Sequence, residues 1–258
     1  MEKSIFRTVF TYFVLQLACI FFIGKRLGTA IPLLLFYAAA SLVLHVGLYL
    51  FLMLFRTSFF NLSTNQPLNR INAANKLTLL RISFLPAVAL LLQHKDIGQI
   101  KVVVPVVLIL VFLTDAFDGL IARKGKQITR MGQMLDSISD YFLLAAITAV
   151  YYWHEIVPRW FLWLVFCRLF LQALGMLVFI LIKKPVETKS TWGGKITIAT
   201  TMSLYVLELV RLYLPENTAP FFRIMEYASG LVILALSFEK AGIFFRQGIR
   251  LKQEGKNR

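Results

Sequence analysis

The stretch DAFDGLIARKGKQITRMGQMLDSISD, from Asp115 to Asp140, sets four aspartates and four basic residues inside a chain that is 58% hydrophobic. Two of the aspartates close one apolar run and two open the next. Outward from this stretch the chain is strongly apolar, with a mean hydropathy of +0.71 and only 16% charged residues. A soluble domain carries about 25% charged residues. Apolar runs of roughly twenty residues recur, each long enough for a hydrocarbon core of about 30 Å. No alternation of the kind that marks barrel strands is present. The composition describes an all-α integral membrane protein.

Eight spans are predicted, at about 8–24, 29–55, 74–93, 101–121, 132–153, 160–182, 195–214 and 220–239. The third begins with the polar NRINAANKLT, whose first turns are expected along the interface. With both termini in the cytoplasm, twenty Lys and Arg fall in inside segments and six in outside loops. Basic residues mark cytoplasmic loops, so this orientation follows, and it puts the opening stretch at the cytoplasmic face. The net charge of +15 is explained by those loops and the anionic leaflet they meet, not by nucleic acid. Lys3 and Arg7 before an apolar run resemble a signal peptide, but Lys25 and Arg26 follow without a small-residue cleavage site, so a retained helix is expected. Cys19 and Cys167 lie in apolar segments and give neither a disulfide framework nor a thiol metal site. His45, alone in an apolar helix, reads as structural. The polar linker RTSFFNLSTNQPLNR divides a two-helix extension, 1–60, from a six-helix body, 70–240, and a basic tail, 241–258, follows.

Asp115 and Asp118 are three apart and Asp136 and Asp140 four apart, so each pair shares a helix face. A short basic loop joins the two helices antiparallel, which lets all four carboxylates converge. Four uncompensated charges at a membrane edge are costly. Raised pKa values, basic partners or bound cations are the remedies. Four oxygen-donor carboxylates suit two hard divalent cations such as Mg2+ or Mn2+, which also coordinate phosphate. Gly119 and Gly132 leave room for close approach, Ala122 is small, and Arg123 offers a planar fork to phosphate oxygens. A divalent-cation transporter is the alternative of a different class. Against it, Glu208 and Glu226 fall toward the opposite side, and no acidic residue continues the path at mid-membrane.

The full pattern, Asp115-x2-Asp118-Gly119-x2-Ala122-Arg123-x8-Gly132-x3-Asp136-x3-Asp140, resembles without a gap the signature of the CDP-alcohol phosphotransferase (CDP-alcohol phosphatidyltransferase) family. The resemblance covers about residues 70 to 240. It implies a six-helix bundle, here preceded by two extra transmembrane helices, and a multi-pass enzyme of phospholipid synthesis, in a bacterial cytoplasmic membrane if its nearest subfamily is the guide. It implies Asp115, Asp118, Asp136 and Asp140 as ligands of two Mg2+ or Mn2+ ions, with Asp140 also the general base. It implies a CDP-binding set of Asp118, Gly119, Ala122, Arg123, Gly132, Asn75 and Thr78, release of CMP, and a homodimer.

Within the family, NAANKLTLLRI, with Asn75, Thr78 and Arg81, resembles the opening of bacterial phosphatidylglycerophosphate synthases. STWGGKITIATT, with Lys195, resembles their later Gly-Lys segment. Lys195, Arg168 and Arg81 are the expected acceptor-binding residues, for glycerol 3-phosphate attacking CDP-diacylglycerol. Two positions depart from that pattern: Tyr141 stands where a lysine is usual, and Leu169 follows Arg168 where a glutamate is usual. LDSISD leans toward other subfamilies. CDP-choline or CDP-ethanolamine with diacylglycerol, and phosphatidylserine or phosphatidylinositol-phosphate synthesis, are the alternatives.

Overall fold

The computed structural model describes residues 1–62, 64, 66–94, 100–125, 128–181 and 192–256, with the backbone alone at 100–101, 115–116, 118–119, 122–123, 175–181 and 238–256. The helices are α1 (Glu2–Leu27), α2 (Ile31–Leu54), α3 (Ala73–Ser83), α4 (Leu85–Gln93), α5 (Ile100–Lys124), α6 (Arg130–Trp153), α7 (Arg159–Leu181), α8 (Trp192–Arg211) and α9 (Ala219–Lys256). Among the described residues there is no strand, only the isolated bridges Phe60–Pro67 and Asn61–Thr129. Five stretches of the described residues are long and apolar enough to cross a bilayer: Glu2–Leu27, Ile31–Leu54, Ala73–Gln93, Arg130–Trp153 and Glu216–Ser237. Phe22, Phe36, Val43 and Leu54 turn outward from α1 and α2, a surface suited to lipid. The chain divides into two compact units, Met1–Ala146 and Ile147–Arg258.

In the first unit, α1 ends where Gly28 takes a left-handed φ of 63°, and Pro32 opens α2. The two helices share a buried polar cluster. Ser41 Oγ donates to Gln16 Oε1 at 3.0 Å, and His45 Nδ1 donates to the Ser41 carbonyl at 2.8 Å, which gives His45 the structural place expected of it. The extension does not stand apart. Ile5, Val9, Leu48 and Leu52 share one core with Ile71, Leu79, Ile82, Met131 and Leu135. Polar ties run along the same contact. Ser4 Oγ accepts from Ile71 N, and Tyr12 OH donates to the Lys76 carbonyl. At the other end Thr29 meets His94, and Gln93 donates to Tyr37 OH. These pairings make α1 parallel to α3–α4.

The third predicted span is two helices. Phe84 separates α3 from α4, and Pro86, in the first turn of α4, cannot extend the hydrogen-bond ladder of α3. Described residues of the linker make backbone hydrogen bonds. Leu68 N donates to the Phe59 carbonyl and Leu62 N to the Ile128 carbonyl, which fastens it to the residues before α6.

In the second unit, Tyr151, Phe161, Tyr205 and Leu209 form the buried core. Tyr151 OH donates to the Tyr205 carbonyl at 2.7 Å, and the Thr148 and Tyr205 hydroxyls are paired. A Cβ on Gly230 would stand 2.8 Å from the Trp160 ring, so glycine permits the close approach of α9 to α7. Glu208, fully buried, lies 3.1 Å from Arg211 Nε, and Arg211 Nη1 lies 3.4 Å from Glu226 Oε1. Arg211 Nη2 also donates to the Ile156 carbonyl, so one guanidinium ties α8, α9 and the α6–α7 turn. α9 continues unbroken from the last apolar stretch into the basic tail.

Candidate active site

The site grows from the start of α6. Thr129 is its N-cap, with Oγ1 accepting from Gly132 N at 2.9 Å, which satisfies one orphan donor of the first turn. Thr129 also binds Asn75 of α3. The Asn75 Nδ2 donor lies 3.0 Å from Thr129 Oγ1, and both residues are buried. Asn75 is placed by its own cap, since Asn72 Oδ1 accepts from Asn75 N at 2.9 Å. A Cβ on Gly132 would stand 2.6 Å from Asn75 Oδ1 and 2.9 Å from Thr129 Oγ1. The room left by Gly132 is therefore occupied by Asn75 and Thr129, which brings α3 against α6. Thr78, one turn beyond Ala74, is buried and donates to the Ala74 carbonyl.

One and two turns past Gly132, α6 presents Asp136 and Asp140. The Asp136 side chain is half exposed and that of Asp140 is 10% exposed. Facing them from α3 is Arg81, whose side chain is only 1% exposed. Arg81 Nε donates to Ser139 Oγ at 2.7 Å, and Nη2 lies 3.5 Å from Asp140 Oδ1 and 4.0 Å from Asp136 Oδ1. A buried guanidinium demands such acceptors. α5, the helix that bears the first half of the motif, packs alongside α3. The side chains of Asp115, Asp118, Ala122 and Arg123, and the surroundings of Gly119, lie outside the described residues. Their helical backbone keeps Asp115 and Asp118 on one face of α5. Among the described residues no group of three or more His, Cys, Asp or Glu converges. The donors that are described, Asp136 and Asp140, are oxygen donors one turn apart, the chemistry hard divalent cations take.

Of the residues read from the sequence, the first unit brings together Asn75, Gly132, Arg81, Asp136 and Asp140. Arg168 and Lys195 belong to the second unit. There Arg168 is buried on α7, and Lys195 is exposed in the first turn of α8, its Nζ 5.8 Å from the centre of the Trp192 ring. Thr129 and Ser139 were not singled out in the sequence. Thr129 was legible as a cap three residues before Gly132, whereas nothing local distinguished Ser139 from Ser137.

Five stretches apolar enough to cross a bilayer mark an integral membrane protein, and two acidic residues, Asp136 and Asp140, lie one turn apart near the start of α6. The sequence profile of the CDP-alcohol phosphatidyltransferase family matches residues 71–238. The chain belongs to that family. It is 32% identical over 145 residues to a probable phosphatidylglycerophosphate synthase of Mycobacterium tuberculosis, covering 54% of this chain and 67% of that protein. It is 35% identical over 77 residues to a CDP-diacylglycerol–glycerol-3-phosphate 3-phosphatidyltransferase of Rickettsia typhi, covering 30% of this chain and 43% of the relative. A Bacillus subtilis protein of the same name is 30% identical over 110 residues, covering 38% and 57%. The chain thus spans about half the length of the Rickettsia and Bacillus relatives it matches.

Proposed function

We propose that this chain transfers the phosphatidyl group of CDP-diacylglycerol to a hydroxyl of glycerol 3-phosphate, releasing CMP and forming phosphatidylglycerophosphate. The observation that carries the reading is the Asp136–Asp140 pair beside buried Arg81, inside the stretch that the family profile matches. The names of the Rickettsia, Bacillus and Mycobacterium relatives support the choice of donor and acceptor.

Asp115, Asp118, Asp136 and Asp140 are the donor set for two Mg2+ or Mn2+ ions. When bound, such ions neutralise charge on the pyrophosphate oxygens. The chain's own groups do the rest. Asp140 takes the proton of the attacking hydroxyl, which must come within hydrogen-bond reach of its carboxylate. The hydroxyl oxygen forms a bond to the phosphorus that carries diacylglycerol, the bond from that phosphorus to the bridging oxygen breaks, and CMP leaves with the electron pair. Gly119, Ala122 and Arg123 of α5 line the CDP pocket, with Asn75, Thr78 and Gly132 shaping its α3–α6 wall. Arg168 and Lys195 hold the acceptor phosphate. The protein crosses the membrane eight times with both ends in the cytoplasm, works as a homodimer, and opens its site to the cytoplasmic face of a bacterial membrane. A water-soluble nucleotide and a bilayer lipid meet at that level.

A second reading keeps the chemistry and changes the alcohol. Tyr141 and Leu169, which depart from the synthase pattern, favour it. One experiment separates the readings. The purified chain is given CDP-diacylglycerol with glycerol 3-phosphate, serine or inositol phosphate, and diacylglycerol with CDP-choline or CDP-ethanolamine. CMP and the lipid product are measured. Phosphatidylglycerophosphate in the first arm alone is the expected result. Product in another arm reassigns the alcohol, and no CMP in any arm ends the transferase reading.

A further inference from the structure

We infer that Arg81 is a positioning residue for Asp140, locked in place by Ser139, and not a contact for the acceptor. The inference rests on the proposed role of Asp140 as the base.

Its first support is burial. The Arg81 side chain is 1% exposed, so its charge must be compensated inside the protein. Its second is the direction of the fork. A guanidinium is planar, and anchoring one of its nitrogens fixes where the others point. Arg81 Nε is anchored on Ser139 Oγ at 2.7 Å, and Ser139 is itself 1% exposed. That bond turns Nη2 toward the next residue, Asp140, at 3.5 Å, and toward Asp136, one turn earlier, at 4.0 Å. Its third is the length of those two contacts. A closed charge-assisted pair stands at about 2.7–2.9 Å. Arg81 therefore neighbours both carboxylates, offsets their mutual repulsion and orients Asp140 without capturing either in a tight fork. Lysine in its place keeps the charge but has no Nε–H to anchor on the serine.

The experiment uses the full chain and its Arg81→Lys, Ser139→Ala and double variants. Steady-state kinetics give kcat and the acceptor KM, and Mn2+ titration followed by electron paramagnetic resonance gives metal affinity without turnover. Arg81→Lys is expected to lower kcat at least tenfold, leave the acceptor KM within twofold, and weaken Mn2+ binding at least threefold. Ser139→Ala is expected to shift the same quantities in the same direction by less. The double variant should be no worse than Arg81→Lys alone, because both changes break one device. A raised acceptor KM with kcat retained would make Arg81 an acceptor contact and overturn the inference. Additive losses in the double variant would overturn the role of Ser139. Should Arg81→Lys fail to fold, Ser139→Ala alone decides: unchanged kcat and Mn2+ affinity in that variant overturn the inference. If wild type turned over no acceptor, the parent reading would fall, while coupled losses of Mn2+ affinity would still establish the clamp.

Discussion

Asn75 of α3 fills the space that Gly132 of α6 leaves, its Oδ1 2.6 Å from where a Cβ on Gly132 would stand. The carbonyl oxygen is not idle there, because the Asn75 amide and the Thr129 hydroxyl are paired beside it. This contact joins the helix that carries Arg81 to the helix that carries Asp136 and Asp140.

Gly132→Ala is therefore expected to push Asn75 off Thr129 and destabilise the protein by about 1–3 kcal/mol, the usual cost of overpacking. Thermal melting in detergent checks it. An unchanged midpoint would mean that the pair re-forms around the added methyl.

Asp140→Asn removes the proposed base and half of the α6 carboxylate pair. CMP release is expected to fall by about 10²–10⁴-fold, the range general base catalysis supplies, with the melting temperature lowered because buried Arg81 loses one of its carboxylate partners. Residual activity near wild type would remove Asp140 from the chemistry.

Chelation makes a separate prediction. With EDTA, CMP release by wild type should stop, and added Mg2+ or Mn2+ should restore it, since the carboxylate donor set suits hard cations. Turnover that persists after exhaustive dialysis against chelator would count against the two-ion reading.

In the second unit, Arg211 is the cation between buried Glu208 and Glu226. Arg211→Ala strands a carboxylate with no exposed surface, at a cost of roughly 3–5 kcal/mol. The triple change Glu208→Gln, Glu226→Gln and Arg211→Met should be milder, because neither buried carboxylate is then left charged without its cation. Melting curves of the two variants decide: equal losses would show that the network contributes shape and not charge balance.

Removal of residues 1–55 should leave no folded remainder. It uncovers Ile71, Leu79, Ile82, Met131 and Leu135, which share a core with Ile5, Val9, Leu48 and Leu52. Size-exclusion profiles of the truncated chain test this, and a monodisperse, active product would make the extension dispensable.

Hydropathy and helical spacing are local properties, and what depends on them was legible in the sequence. Apolar runs separated by basic loops announced membrane helices, and offsets of three and four placed Asp115 with Asp118 and Asp136 with Asp140. The eight motif positions identified the family before any coordinate. The break at Phe84 was legible too, in Pro86, but the length of the apolar run hid it. What a helix meets across its face is not local. Arg81 and Ser139 lie 58 residues apart, and no periodicity in either helix pairs them. Nor does any local pattern announce that Asn75 of α3 enters the space of Gly132 on α6. Likewise, apolar residues in α1 and α2 announce only that these helices prefer lipid or protein to water. That Ile5 and Leu52 enter the core beside the site, while Phe22 and Val43 face outward, was decided by packing, because one apolar surface satisfies the hydrophobic requirement as well as another until shape and hydrogen bonds choose between them.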